Sequence, residues 1–324
     1  MLKKKSILVT GGTGGIGKSL IQRLLLEDPK SITIFSRDEF KQFEMKHDLE
    51  KHITKLKFVL GDIRDKHALS EAVKGVDYVF HTAALKHVPE CEAFPLEAIK
   101  TNVLGAANLR EVCITHKVKK VVVISTDKAV RSVNVMGMTK ALQERIVLSS
   151  TYPTGTEFVC VRFGNVIMSR GSVIPLIKKR ITENKPLIMT DEHMTRFLIS
   201  YEEANELVLT ALRHGMHGTI YVKKMAVCKI RDLFEVLIES LTGKKEYPIT
   251  KIGLRQGEQM YESLVSEEEM SRVVEYPKHY VIHPFGMLKE SKIITPLEEY
   301  RSDLAREILS KEGIKKKLQE AHAL

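Results

Sequence analysis

The sequence predicts an α/β chain, a doubly wound parallel sheet followed by a smaller mixed α/β lobe toward the C-terminus. Three observations carry this. Short apolar, β-branched runs alternate with helix-patterned stretches through about residue 165. The first run, Ile7-Leu8-Val9, enters a glycine cluster. Beyond about residue 165 the alternation weakens, and Pro175, Pro186, Pro248, Pro277, Pro284 and Pro296 punctuate shorter elements. Strands alternating with helices at this spacing imply a parallel sheet covered on both faces.

Each element has its own signal. After Ile7–Val9, the residues Ile16, Leu20, Leu24 and Leu25 recur at helical spacing over 15–27. Ile32-Thr33-Ile34-Phe35 reads as the second strand, and a polar, helix-favouring stretch runs to about residue 50. Leu56-Lys57-Phe58-Val59-Leu60 is the third strand, followed by a helix near 66–74. Asp77-Tyr78-Val79-Phe80 is the fourth, and one long helical region is expected over about 92–116. Val121-Val122-Val123-Ile124 is the most strongly β-branched run, followed by a helix near 137–150 and the strand Glu157–Val161. We place a first domain at 1–165, to which later segments return, and a second at 166–324. The second holds short strands such as Thr219-Ile220-Tyr221-Val222 and a helical tail from about 285. Leu304, Ile308 and Leu318 in that tail suit packing against a neighbour or against their own lobe.

Composition narrows the function classes. Hydrophobic residues are 43% of the 324 and charged residues 28%, which is ordinary for a soluble globular protein and excludes collagen-like or disordered chains. No run approaches the roughly 20 apolar residues of a membrane helix. The start, Met1-Leu2-Lys3-Lys4-Lys5-Ser6, lacks the apolar core and cleavage site of a signal peptide, so a cytoplasmic location is expected, with no membrane partner. Cys91, Cys113, Cys160 and Cys228 are widely spaced and have no His at zinc-ligand spacing; they read as buried free thiols, and no metal site is expected. The net charge of +10 suits either nucleic acid or small anions. Basic residues are scattered, and their densest runs, Lys3–Lys5 and Lys315–Lys317, sit at the ends, so no nucleic-acid partner is expected.

The glycine cluster reads Thr10-Gly11-Gly12-Thr13-Gly14-Gly15-Ile16-Gly17. Gly11, Gly14 and Gly17 have the spacing G-x-x-G-x-x-G between a strand and a helix. This lets backbone approach a pyrophosphate at a helix N-terminus, so the first domain is Rossmann-like and binds a dinucleotide through Gly11, Thr13, Gly14, Gly15, Ile16 and Gly17. Gly12 through Gly17-Lys18-Ser19 also matches the phosphate loop of nucleotide hydrolases, but no magnesium-binding acidic strand end follows. Strand two ends in Ser36-Arg37-Asp38, with Lys41 a turn later. Ser36, Arg37 and Lys41 suit a 2′-phosphate, and so NADP rather than NAD; Asp38 is the counter-signal, with a helix cap as its other use. Asp62, beside Ile63, either bonds an adenine or caps a helix. Ala83 and Ala84 leave room for the cofactor's ribose and nicotinamide.

Past the fifth strand come Ser125-Thr126-Asp127-Lys128 and then Met136-Gly137-Met138-Thr139-Lys140. Here the chain resembles the extended short-chain dehydrogenase/reductase family, in which Thr or Ser precedes a helix bearing Y-x-x-x-K. More narrowly it resembles the inverting UDP-N-acetylglucosamine 4,6-dehydratases of polysaccharide biosynthesis, which carry Asp-Lys directly after the Thr. Further segments support this: Ala83-Ala84-Leu85-Lys86-His87, Lys100-Thr101-Asn102, Arg162-Phe163-Gly164-Asn165-Val166, Ser169-Arg170-Gly171-Ser172-Val173, Met194-Thr195-Arg196-Phe197 and Gly257-Glu258. With Ser36-Arg37-Asp38-Glu39 and the glycine loop, the resemblance covers about residues 6–265. The departure is Met136, at the tyrosine position; a thioether has no proton to exchange with a sugar hydroxyl.

The resemblance implies a catalytic set of Thr126, Asp127, Lys128, Lys140 and Met136. It implies cofactor contacts from Lys86, Asn102 and Lys140, and a UDP-sugar site of Lys86, Asn165, Val166, Arg170, Ser172, Val173, Arg196 and Glu258. NADP would take hydride from sugar carbon 4 and return it to carbon 6. Lys128 would remove the carbon-5 proton, and Asp127 would assist loss of the carbon-6 hydroxyl. Base action by Lys128 needs a lowered pKa and acid action by Asp127 a raised one; pairing of the two opposes both shifts. Lys140, Asp127 or a water on Thr126 are candidates for deprotonating the carbon-4 hydroxyl. His81 and His87 read as structural. The product would be a 4-keto-6-deoxy amino sugar for surface glycans or protein glycosylation. A homo-oligomer is implied, with a hexamer as one form. Alternatives are a UDP-sugar 4-epimerase, a dehydratase stopping at a 5,6-ene, and a silent NADP-binding regulator.

Overall fold

The computed structural model describes residues 1–149, 155–287, 298–305 and 307–324. The first half runs β1 (Ser6–Thr10), α1 (Gly15–Leu25), β2 (Ser31–Ser36), α2 (Glu39–Asp48), β3 (Leu56–Leu60), α3 (Lys66–Val73) and β4 (Tyr78–His81). It continues with α4 (Val88–Ala93), α5 (Pro95–Ala98), α6 (Gly105–Thr115), β5 (Lys120–Ile124), α7 (Val135–Leu148) and β6 (Glu157–Arg162). The predicted strands are present to within a residue or two. The long helix expected over 92–116 is not continuous. Phe94 leaves the helical region at φ −129°, ψ 62°, and Pro95 opens the next helix. Proline lacks an N–H and disfavours helical backbone in the residue before it. A π-type turn, Ile99–Leu104, then leads into α6. Residue 150, at the end expected for the helix over 137–150, lies outside the described residues.

The second half supplies β7 (Asn165–Val166), α8 (Val173–Thr182), β8 (Leu187–Met189), β9 (Thr195–Ile199), α9 (Tyr201–His214), β10 (Ile220–Lys223), β11 (Ala226–Lys229) and α10 (Ile230–Thr242). After these come β12 (Ile249–Lys251), β13 (Ser263–Val265), α11 (Glu267–Met270), β14 (Val273–Glu275), β15 (His279–Ile282), β16 (Tyr300–Arg301) and α12 (Lys311–Glu320).

The main sheet has the order β14-β15-β10-β6-β5-β4-β1-β2-β3. The pairs from β3 across to β10 are parallel; β15 and β14 run antiparallel at one edge. The strand read from the sequence at 219–222 as part of the second lobe is therefore the seventh parallel strand, because Ile220 pairs with Cys160 and Val222 with Arg162.

Alternation along the strands builds two cores. Ile7 and Val9 face α1 and α9, packing with Leu20, Leu24, Leu207 and Val208. Leu8, Val79 and Val121 face α3 and α6, with Leu69, Leu109 and Val112. Each such side chain contributes about 1.5–3 kcal/mol by leaving water. A third cluster holds α8, α10 and α12 together through Ile174, Ile177, Phe234, Ile314 and Leu318. So Leu318 packs on its own lobe, while Leu304 is exposed and Ile308 only bridges to Val227. Residues 288–297 of the expected tail, Pro296 among them, lie outside the described residues. All four cysteines are buried and unpaired.

Arg162, at the end of β6, ties the halves together. Its guanidinium donates to both carboxylate oxygens of Glu144 on α7, at 2.8 and 2.6 Å, and of Glu269 on α11, at 2.8 Å each. Removing one partner of a buried pair costs about 3–5 kcal/mol.

Candidate functional site

The strand order reverses between β1 and β4, and doubly wound sheets place their clefts at such a reversal. A cleft of about 420 Å³ opens there. Gly11 leaves β1 at φ +65°, and a Cβ on it would stand 2.7 Å from the Ala83 backbone. A Cβ on Gly17 would stand 2.5 Å from the Gly11 carbonyl oxygen. Gly14 donates its N–H to that same oxygen at 2.9 Å. Helix α1 starts with neither a side-chain cap nor an acidic residue in its first turn, so its positive end faces the cleft uncompensated. A cradle this bare of Cβ atoms fits the diphosphate of a dinucleotide. The hydrolase-type alternative does not fit, because Lys18 is paired with Asp48 at 2.6 Å and the Ser19 hydroxyl accepts from Asn205 at 2.8 Å.

Of the predicted cofactor residues, Gly11, Thr13, Gly14, Gly15, Ile16, Gly17, Ser36, Arg37, Lys41, Asp62, Ile63, Ala83, Ala84 and Lys86 line this cleft. Sequence reasoning missed Phe35, Thr82, Thr101, Ser169 and Tyr201, which also line it. Asn102 and Lys140 are not in the lining. Asn102 is buried beneath it, clasping the backbone N–H and C=O of Leu85 and the Thr139 hydroxyl. Lys140 donates to the Ile124 carbonyl at 2.5 Å, and burial brings its pKa down to about 8.

At the adenosine end, Asp38 caps α2 by accepting from Lys41 N–H at 3.0 Å and also pairs with the Lys41 ammonium. The pairing with Lys41 holds Asp38 below the usual carboxylate range. The Ser36 hydroxyl accepts from Gln42 at 3.0 Å. Burial raises the Asp62 carboxyl, but bonds from Arg64 win and leave it low. Arg37 is 3.9 Å from Asp62 and largely exposed. Beneath β1 and β4, His81 Nδ1 is 2.7 Å from the Thr10 hydroxyl; full burial, helped by the charge of Lys140, depresses its pKa to about 3.

The second group of chemical residues follows β5. Asp127 is buried, and its Oδ1 accepts from the Thr126 hydroxyl at 2.9 Å and from Lys128 Nζ at 3.0 Å. Its Oδ2 is buried and has no hydrogen-bond partner among the described residues. Lys128 Nζ also lies 2.9 Å from Glu262 Oε1, and Arg196 Nε lies 3.6 Å from the same oxygen. Burial alone would lower the Lys128 pKa, but Asp127 and then Glu262 outweigh it and push it up. Of the two opposing effects read from the sequence, desolvation and pairing, the pairing wins. Burial raises Glu262, against the pull of Lys128. Glu262 was missed, and no motif marks it.

Met136, the residue in the tyrosine position, is buried against Cys91 and Ala98 with Leu85, Val88 and Val135 around it. Of the predicted sugar-site residues, Lys86 and Arg170 line the cofactor cleft. Arg196 joins the Lys128 cluster. Asn165 and Val166 form β7, paired to β9. Ser172 precedes Val173 at the start of α8, with its hydroxyl buried and without a partner among the described residues. The Glu258 carboxylate accepts from the Arg255 N–H at 3.2 Å within its own turn, while the adjacent Gly257 carbonyl accepts from Asn134 at 2.8 Å.

The family profile described as polysaccharide biosynthesis protein matches residues 7–284. A Methanocaldococcus jannaschii protein, MJ1061, named an uncharacterized membrane protein, is 46% identical over 328 residues, covering 98% of this chain and 96% of its own. None of the described helices here is long and apolar enough to cross a membrane. A UDP-glucose 4-epimerase of Rickettsia conorii is 44% identical over 317 residues, covering 93% and 92%. The X-ray structure of Pen from Bacillus thuringiensis superposes with a TM-score of 0.95 at 38% identity, covering 100% of this chain and 99% of that one.

Proposed function

The chain belongs to the polysaccharide biosynthesis protein family, and from that premise we propose that it is an NADP-dependent 4,6-dehydratase of UDP-N-acetylglucosamine or a related UDP-sugar, inverting at carbon 5. The observation that carries this is the ion pair of buried Asp127 with half-buried Lys128 just after β5, beside a helix with Met136 where a tyrosine base would stand. A 4-epimerase has no water to eliminate and no use for that pair. Dehydration needs both an acid at carbon 6 and a base at carbon 5.

The two needs meet in one proton. Lys128 is held as the ammonium, donating to Asp127 at 3.0 Å. Passing that proton to Asp127 creates a neutral amine and a carboxylic acid together. The amine takes the carbon-5 proton; the acid gives its proton to the departing carbon-6 hydroxyl, which leaves as water. Arg196 and Glu262 fix Lys128 from the other side. When bound, the nicotinamide supplies hydride acceptance at carbon 4 and hydride return at carbon 6. Lys140, with its pKa brought down to about 8, is the group best matched to the carbon-4 hydroxyl proton near neutral pH. The cleft residues Ser36, Arg37 and Lys41 support NADP, although Asp38 engages Lys41. The proposal keeps the UDP-sugar as substrate, a homo-oligomer as the assembly and the first and second domains as cofactor and sugar lobes.

A second reading, UDP-glucose 4-epimerase, is favoured by the name of the Rickettsia conorii relative. Proton NMR in deuterated water, with UDP-N-acetylglucosamine and no added cofactor, separates the two. A carbon-6 methyl signal with deuterium at carbon 5 and arabino-type couplings is expected. Retained configuration removes the inversion, and exocyclic vinyl protons indicate arrest at a 5,6-ene. Gluco-to-galacto exchange on UDP-glucose establishes the epimerase. No turnover with the cofactor in place favours a silent binder.

A further inference from the structure

We propose that Arg170, carried by the second lobe, is a cofactor-holding residue that contacts the phosphates of the dinucleotide rather than the sugar nucleotide. The inference rests on the dinucleotide reading of the glycine cleft and reassigns a residue that sequence resemblance gave to the substrate.

Its turn is built to cross that cleft. Met168 at φ +61° and Gly171 at φ +73° both adopt left-handed backbone, and Ser172 N–H closes the turn on the Ser169 carbonyl at 3.0 Å. Gly171 lies under the His87 ring, where a Cβ would come within 2.2 Å of the imidazole, so only glycine lets the turn seat there. Lys86, from the loop after β4, donates to the Arg170 carbonyl at 2.8 Å. The turn is thus pinned to the first domain at two points, by Lys86 and by His87.

Ser169 and Arg170 line the cleft together with Thr13, Gly14, Asp38 and Lys41. Tyr201, from α9 of the second half, reaches the same place: a Cβ on Gly15 would stand 2.5 Å from its hydroxyl. The guanidinium is close enough to act electrostatically on Asp38, Lys86 and Tyr201. That range extends from the adenosine end of the cleft to the start of α1. Of the other cations at the adenosine end, Lys41 is engaged by Asp38 and Arg37 lies 3.9 Å from Asp62. The Arg170 guanidinium has no hydrogen bond or ion pair among the described residues, so its fork is available to a phosphate.

The test measures dinucleotide binding directly, by calorimetry, on the full chain and on R170A. Arg170 is exposed, so the variant folds; unchanged thermal melting without ligand checks this. R170A is expected to weaken dinucleotide binding at least tenfold, and the variant to lose cofactor that the parent retains through purification. A loss for NADP alone supports contact with the 2′-phosphate. An equal loss for NAD and NADP supports contact with the diphosphate. Unchanged dinucleotide binding with weakened UDP or UDP-sugar binding overturns the proposal and returns Arg170 to the substrate. If the parent chain binds neither dinucleotide, the cofactor reading itself fails.

Discussion

Lys128 and Glu262 are joined by a 2.9 Å ion pair between a loop that follows the central strand β5 and a distant segment that precedes β13. Glu262 is therefore one of two carboxylates holding the Lys128 proton. Replacing it by Gln removes that charge and lets the Lys128 pKa fall. In E262Q the alkaline limb of the pH–rate profile is expected to move down by about 1–2 units, since one charge-assisted hydrogen bond is worth about 1.5–3 kcal/mol. A merely structural role would lower turnover and leave the limb in place.

Gly17 makes the sharpest steric prediction. A Cβ there meets the Gly11 carbonyl at 2.5 Å and Gly12 Cα at 2.7 Å, and backbone cannot rotate aside. G17A is expected to cost about 1–3 kcal/mol in stability and to weaken dinucleotide affinity at least about tenfold. Near-native binding by calorimetry would mean the loop has slack it does not show.

Met136 is expected to pack rather than exchange protons. M136L, similar in volume, should keep stability within about 1.5 kcal/mol and retain most turnover. Loss of turnover with normal cofactor binding would assign the thioether a chemical part.

His81 gives the chain a pH-dependent stability. The unfolded chain takes a proton on this residue near pH 6.5, the folded chain only near pH 3. Between those values the unfolded state binds more protons, so stability falls as pH falls, by about 1.4 kcal/mol per unit. Urea midpoints between pH 6.5 and 5 should fall less steeply in H81N. Parallel slopes would show that His81 titrates in the folded state.

What the sequence made legible followed from short-range rules. The strands around Ile7, Ile32, Val79 and Val121 announce themselves because buried parallel strands are continuous apolar runs. The glycine loop is readable because its spacing is dictated by close backbone approach. Phe94–Pro95 was also readable in principle, since proline marks a helix start, but the apolar periodicity across 92–116 masked it. Glu262 was not readable: its meaning comes only from the fold bringing it to Lys128. The resemblance gives Arg196 to the UDP-sugar site, yet its guanidinium donates to the Thr195 and Gln259 carbonyls and lies 3.6 Å from Glu262. Residue type suggested a ligand where tertiary packing supplies partners.

The sheet order has a consequence for synthesis. Strand β6 acquires its outer neighbour only when β10 exists, and β10 in turn is flanked by β15. On a ribosome, the first six strands are complete while the outer side of β6 is still an unpaired row of N–H and C=O groups. At about 5–20 residues per second, that bare flank persists for several seconds before residues 220–223 are made and clear the exit tunnel. During that interval the half-made protein is most open to strand exchange with a sister chain and most in need of a chaperone.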